Sequence, residues 1–279
     1  MIAKLPVSVV IPVRNEAANL PACLARLSRF DEVIVVDSGS SDGTDEIATR
    51  AGFTLLQFVW DGHFPKKRNW VLLNAKLSNE WVLFLDADEL VSEQFCDELE
   101  HTLASTKCNG FWLRYTNHFM GEVLHFGVLQ SKLALFRVGA GLYEQIEEAN
   151  WSSLDMEVHE HPIIEGSTGE IAAPIDHRDD RGLARFIDRH KDYALWESQR
   201  TVALRKDGTN AWHKLTDRQK TKYRNLDKWW FAPGYFFWTY VAKRGFLDGA
   251  TGLSYAFYKF WYFWTIRLLI KEHGDKSKP

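Results

Sequence analysis

Four short apolar runs, each followed by a polar loop and then by helix-forming sequence, fill the first 110 residues of this chain. They lie at residues 7–11, 32–36, 53–58 and 81–85. Each run is mostly apolar and lacks strict alternation, which is the pattern of a strand covered on both faces. Strands alternating with helices at this spacing form βαβ units around a parallel sheet. Pro12 is expected to stop the first strand. Asn15 is expected to cap a helix carrying Leu20, Leu24 and Leu27 on one face. Helices are expected over 44–51 and 66–77, and Ser92 is expected to cap the one after the fourth strand.

Sheets of this kind bind ligands beyond the C-terminal ends of their strands. Three polar loops stand there: residues 12–16, 37–43 and 86–89. Asp86 and Asp88, separated by one residue at the end of the run WVLFL, can face one divalent cation. Such hard oxygen ligands suit Mg²⁺ or Mn²⁺, which also take phosphate oxygens. The same pair can instead form a solvated acidic turn. Asp37, after VIVV, can accept from a nucleobase N–H or a ribose hydroxyl, or close an Asx-turn within DSGSSDGT. Asn15 and Glu16 carry the same two readings, and the turn role suits Asp42 better than Asp37. Lys66, Lys67 and Arg68 begin a helix whose dipole disfavours cations, so an anion such as a diphosphate is the expected partner.

The second half carries fewer signals. Strands are expected at 111–115 and 132–136. His159, Glu160 and His161 sit in MEVHEHP, where one acid can act as general base toward a hydroxyl. Those residues equally fit a partly exposed strand, and no third ligand at zinc-like spacing follows. His177 is a further candidate for metal or phosphate. From residue 181 the spacing is helical. The sequence therefore divides into a catalytic domain over 1–180 (halves 1–110 and 111–180), a helical region over 181–273 and a disordered tail over 274–279.

Bulk properties close off other classes. With 46% hydrophobic residues the chain can bury a full core, and a net charge of −3 gives no field for nucleic acid. Three scattered cysteines form no CxxC pair and suit a reducing cytoplasm. The N-terminus does not read as a signal peptide, and no window of 18 apolar residues is uninterrupted. The 12 Trp, 9 Tyr and 18 Phe are concentrated late, in WWFAPGYFFWTY and YAFYKFWYFW. Lysines and arginines, among them Lys228, Lys243, Arg244, Lys259 and Arg267, interrupt or flank both stretches. That mixture predicts interfacial helices over 229–271, holding the chain as a peripheral protein on the inner face of the cytoplasmic membrane. A helical hairpin packed on protein is the other reading.

Taken together, VSVVIPVRNEAANL, VIVVDSGSSDGT and WVLFLDADE resemble, in order and interval, the opening motifs of family 2 glycosyltransferases over residues 5–95. Phe64–Asn69 sequence, SKLALF, VHE and GFLDG make the chain similar to the lipopolysaccharide-core β-1,4-glucosyltransferase-like subgroup. The resemblance implies a GT-A fold, that is, a Rossmann-like, mostly parallel α/β sheet flanked by helices, here with an aromatic helical extension. It implies a UDP-hexose or similar nucleotide-sugar donor, held by Pro12, Asn15, Glu16, Asp37, Lys67, Arg68 and Asp86. Asp37 would lie near the base, Asp86 near the ribose or metal, and Asp88 on Mn²⁺ or Mg²⁺. It also implies a glycan or glycolipid acceptor and an inverting transfer. Many members carry their base in a Glu-Asp pair, which this chain lacks. VHE stands near that place, so Glu160, beside His159, becomes the candidate base. A sugar nucleotidyltransferase would want a glycine-rich loop in place of PVRNEAANL. A non-catalytic regulator on the same fold would have no need of both Asp86 and Asp88.

Overall fold

The computed structural model describes residues 4–146, 148, 152, 154–155, 162–178, 181–206, 212–213 and 215–275. The chain divides into two compact units. One comprises residues 1–117 with 130–179, the other residues 118–129 with 180–279.

The first unit is built on a sheet whose leading strands are β1 (Leu5–Val13), β2 (Phe30–Asp37), β3 (Thr54–Gln57) and β4 (Trp81–Phe84). Later strands of the chain are β5 (Glu89–Leu90), β6 (Gly110–Phe119), β7 (Glu122–Leu124), β8 (Ser131–Arg137), β9 (Gly141–Tyr143), β10 (Pro162–Ile164) and β11 (Thr168–His177); β7 lies off the main path, and β9 and β10 form a separate two-stranded sheet. The main path runs β3-β2-β1-β4-β8-β6-β11-β5. Pairing is parallel through β3, β2, β1 and β4, and antiparallel where β8 joins β4 and β6. The sheet is thus mixed and mostly parallel, flanked by helices, as expected. Strand order reverses beside β1, which places a crevice between the ends of β1 and β4.

The two-sided burial read from the apolar runs is present. Val7, Val9, Ile11 and Val13 face one layer with Leu20, Leu24, Leu83, Phe95 and Leu99. Val10, Ile34, Val36, Phe58 and Val71 face the other. Helices α1 (Leu20–Leu24), α2 (Thr44–Arg50), α3 (Lys67–Asn74) and α4 (Glu93–Leu103) supply the covers. Ser92 caps α4 by accepting from Phe95 N at 3.0 Å.

Two local expectations change. Pro12 does not end β1, since it pairs in register with Val36 and the strand reaches Val13. Val10 presents its carbonyl to Leu85 N on the β4 side, and the ladder to β4 stops at Val10. Pro12 points to that same unpaired side, so its missing N–H interrupts nothing. Asn15 caps no helix: α1 starts only after Asn19, and Asn15 adopts a left-handed backbone with φ 57°.

The second unit is helical, with α5 (Gly182–Lys206), α6 (Asp217–Asn225), α7 (Phe231–Phe237) and α8 (Gly249–Asp275). The last helix takes in Gly274 and Asp275; residues 276–279 lie outside the described part. Tyr262, Ile266 and Ile270 recur every four residues along α8 and are buried with Ala194, Leu204, Tyr223 and Leu226. A stripe of this kind packs a helix on its neighbours. Each such side chain contributes roughly 1.5–3 kcal/mol. Much of the aromatic stretch 255–264 is therefore turned into protein, and no described helix is long and apolar enough to cross a membrane.

Candidate functional site

The three loops read from the sequence meet at the C-terminal edge of the sheet. Loop 12–16 and loop 37–43 are stitched together. Asn15 Oδ1 accepts from Ser41 N at 2.9 Å, and Asn15 N donates to Ser40 Oγ at 2.8 Å. Glu16 N donates to Thr44 Oγ1 at 2.8 Å, and Ala17 N to Asp42 Oδ2 at 3.0 Å. Asp37 is buried at the end of β2 and accepts from Ser40 N at 3.1 and 3.2 Å and from the Ser40 hydroxyl. Both Asp37 and Asp42 thus shape this loop, not Asp42 alone.

The cations 66–68 are committed to protein groups. Lys67 is buried, donates from Nζ to Val13 O at 2.9 Å and pairs with Asp155 at 3.3 Å. Burial lowers its pKa against the pull of Asp155. Lys66 Nζ lies 2.7 Å from Glu148 Oε2, another buried pair. Arg68 reaches Asp86 Oδ1 at 2.8 Å, with its guanidinium over the Tyr143 ring. The helix start tolerates these charges because acids of the same unit neutralise them.

Asp86 has a second cation, Lys132 Nζ, at 2.6 Å from Oδ2. Burial opposes its ionisation, yet Lys132 and Arg68 hold its carboxyl far below the usual range. Lys132 also pairs with Glu89, which is buried and accepts from Asp86 N at 3.1 Å and from Tyr115 Oη at 3.4 Å. Burial pushes the Glu89 carboxyl up despite Lys132. Lys132 and Glu89 had no role assigned from sequence. A signal was there: the acids that end the apolar strand at Asp86-Ala-Asp-Glu89 call for a cation, and SKLALF carries one at its second position.

Asp88 is buried, and its Oδ2 stands 3.5 Å from His177 Nε2. The register of β11 on β5 sets His177 opposite Glu89, and Arg178 N donates to Asp88 O at 2.9 Å. Burial disfavours a charged His177, but its contact with Asp88 outweighs this and raises its pKa. One carboxylate and one imidazole meet here; no cluster of three or more His, Cys, Asp or Glu able to hold a metal occurs among the described residues. Pro12 precedes the last residue of β1 at the same edge. His159 and Glu160 lie outside the described residues.

A doubly wound sheet with an acid-rich edge at its reversal point defines an α/β protein with its candidate site at the C-terminal strand ends. The profile of glycosyl transferase family 2 matches residues 8–150, and the chain belongs to that family. It is similar to the lipopolysaccharide core biosynthesis glycosyltransferase LpsC of Rhizobium meliloti, at 25% identity over 100% of this chain and 97% of that one. It is 40% identical to a TPR repeat-containing protein of Synechococcus elongatus over 43% of this chain, a match spanning only 30% of that protein. Among solved structures it is similar to glucosyl-3-phosphoglycerate synthase from Mycobacterium tuberculosis in complex with Mn²⁺, UDP-glucose and glycerol 3-phosphate. That likeness has 28% identity over 38% of this chain and 42% of that one, at a TM-score of 0.32.

Proposed function

We propose that the chain transfers a hexose, with inversion, from UDP-hexose to a saccharide or lipid-linked saccharide of a cell-envelope glycan, at the cytoplasmic face of the membrane. Family membership supports the reaction class. The end-to-end likeness to a lipopolysaccharide core enzyme supports the acceptor class. The observation that carries the reading is the meeting of Asp88 with His177 beside a fixed Asp86.

A carboxylate oxygen and a neutral imidazole nitrogen are compatible with Mn²⁺ or Mg²⁺ once phosphate and water oxygens join them. Asp88 and His177 are the residues that would hold the ion, which would neutralise charge on a departing nucleoside diphosphate. Asp86, kept ionised by Arg68 and Lys132, accepts a donor hydroxyl or backs the cation. Asp37 and the stitched loops 12–16 and 37–43 provide a rigid wall for the nucleoside. Lys67 is a strut from α3 to the end of β1, so the diphosphate relies on other donors than its ammonium. Glu160, with His159 beside it, takes the proton of the attacking acceptor hydroxyl as the bond to the leaving diphosphate opens on the opposite face. The protein's contribution is positioning and charge stabilisation.

The test is thermal unfolding with UDP or UDP-glucose, with and without Mn²⁺, because a ligand that binds only the folded state raises the melting point. UDP should stabilise the intact chain far more with Mn²⁺ than without. Asp88→Ala should erase that difference. Equal stabilisation of both proteins, independent of Mn²⁺, would overturn the reading.

A further inference from the structure

We infer that the turn joining α7 to α8 is a membrane-docking tip that seats on an anionic phospholipid surface. This deepens the membrane placement proposed above and rests on it for the side of the membrane.

After α7 the chain runs through a π-helical turn, Trp238–Ala242, then Lys243 and Arg244, then a 3-10 turn, Gly245–Asp248. Backbone fills the interior of this tip. A Cβ at Gly245 would lie 2.8 Å from Thr239 O, and one at Gly252 only 2.0 Å from Gly245 O. Backbone approach that close leaves little room inside, and the small Thr239 side chain is buried there. The large apolar residues consequently turn outward: Phe237 is 61% exposed, Trp238 52%, Val241 52%, Phe246 47% and Leu247 53%. So dense an apolar group on so short a span marks an interaction surface.

The tip is also anchored. Asp248 accepts from His125 N at 3.2 Å and Phe126 N at 2.9 Å, while Gly127 N donates to Lys243 O at 2.9 Å. The apolar group is therefore presented by a fixed turn, and docking needs little ordering of the backbone.

Charge selects the occupant. From Lys228 to Leu247 the chain has no Asp or Glu. Lys243 and Arg244 are exposed within the tip, and Lys243 Nζ sits 5.1 Å from the Trp238 ring. The one acid of the tip, Asp248, is held by His125 N and Phe126 N, so a second copy related by a two-fold axis would bring Lys243 and Arg244 toward their own counterparts. An anionic headgroup layer over hydrocarbon satisfies both halves: cations meet phosphates, Trp238 sits at the boundary, and Phe246 and Leu247 enter the acyl edge. No described helix is long and apolar enough to cross a membrane, so the tip itself carries the proposed contact.

The test is flotation of the full chain with phosphatidylethanolamine/phosphatidylglycerol vesicles against pure phosphatidylcholine vesicles, without donor or metal. The intact chain should float with the anionic vesicles and stay behind with the zwitterionic ones. Trp238→Ser with Phe246→Ser and Leu247→Ser should weaken binding by about tenfold or more. Lys243→Gln with Arg244→Gln should lose about fivefold per cation at low salt. That second variant alters only exposed side chains and decides the matter should the first unfold. The inference fails when the intact chain does not float, when both variants float as well as it does, or when the substitutions abolish a dimer and leave vesicle binding unchanged. Flotation involves no sugar transfer, so its failure leaves the transferase reading standing, and the reverse.

Discussion

His177 Nε2 stands 3.5 Å from Asp88 Oδ2, across the junction between the end of β11 and the loop after β4. Neither residue faces the other in sequence; the antiparallel pairing of β11 with β5 brings them together. The same pairing leaves Asp86 to Arg68 and Lys132, so two nearby acids acquire different partners.

The pH response of that contact follows from its direction. The His177 pKa is raised, because Asp88 outweighs the opposing effect of burial. A histidine raised on folding adds stability that is complete below its unfolded value, about 6.5, and is lost as pH rises through the folded value. Without cation, the stability difference between the intact chain and Asp88→Asn should therefore be largest in mild acid and shrink toward pH 8. Denaturant titrations across that range measure it. A difference that grows with pH would contradict the assignment.

Lys132 is a cation shared by Asp86 and Glu89. Lys132→Met leaves the buried Glu89 without it, and removing one partner of a buried pair costs about 3–5 kcal/mol. Adding Glu89→Gln removes the stranded charge and should recover a large part of the loss. Urea unfolding of the single and double variants tests this, and equal stabilities for the two would show that Lys132 acts elsewhere.

His190 lies buried in the second unit, its Nδ1 2.9 Å from Phe186 O. Burial, aided by Lys259 and Arg189, pushes its pKa down to about 3. The unfolded chain then binds a proton below pH 6.5 that the folded chain refuses. Stability should fall as pH drops from 6 toward 4, with this residue adding roughly 1.4 kcal/mol per pH unit to the slope. His190→Gln should flatten the slope whatever it does to absolute stability.

Asn15 combines a left-handed backbone with the acceptor that holds Ser41 N. Glycine keeps the backbone and loses the acceptor, whereas alanine loses both. Asn15→Ala should be less stable than Asn15→Gly by about 1 kcal/mol. Chemical denaturation of the two variants compares them, and UDP-induced stabilisation shows how far the loop wall matters to the donor.

The strands were legible because both faces of β1, β2 and β4 are covered, so nearly every position had to be apolar. Ser92 was legible as a cap because capping is decided within four residues. Asn15 was misread for the opposite reason: its partner belongs to a loop 26 residues away, and nothing local separates a cap from a cross-loop acceptor. Lysines 66 and 67 read as partners of an anion such as a diphosphate because Glu148 and Asp155 meet them only through the fold. The aromatic end read either as interfacial helices or as a hairpin packed on protein. Folding divides it, since Tyr262, Ile266 and Ile270 pack on α5 and α6 while Trp238, Phe246 and Leu247 stay outside.

The sequence by itself determined the alternation of strand and helix, the three polar loops beyond the strand ends and the family those motifs define, because each is written in residues close along the chain. Tertiary structure alone decided which acid meets which base. Asp86 goes to Arg68 and Lys132, Glu89 to Lys132 and Tyr115, and Asp88 to His177. Those choices depend on the register of β8 and β11 across the sheet, and register is a property of packed strands, not of neighbouring residues.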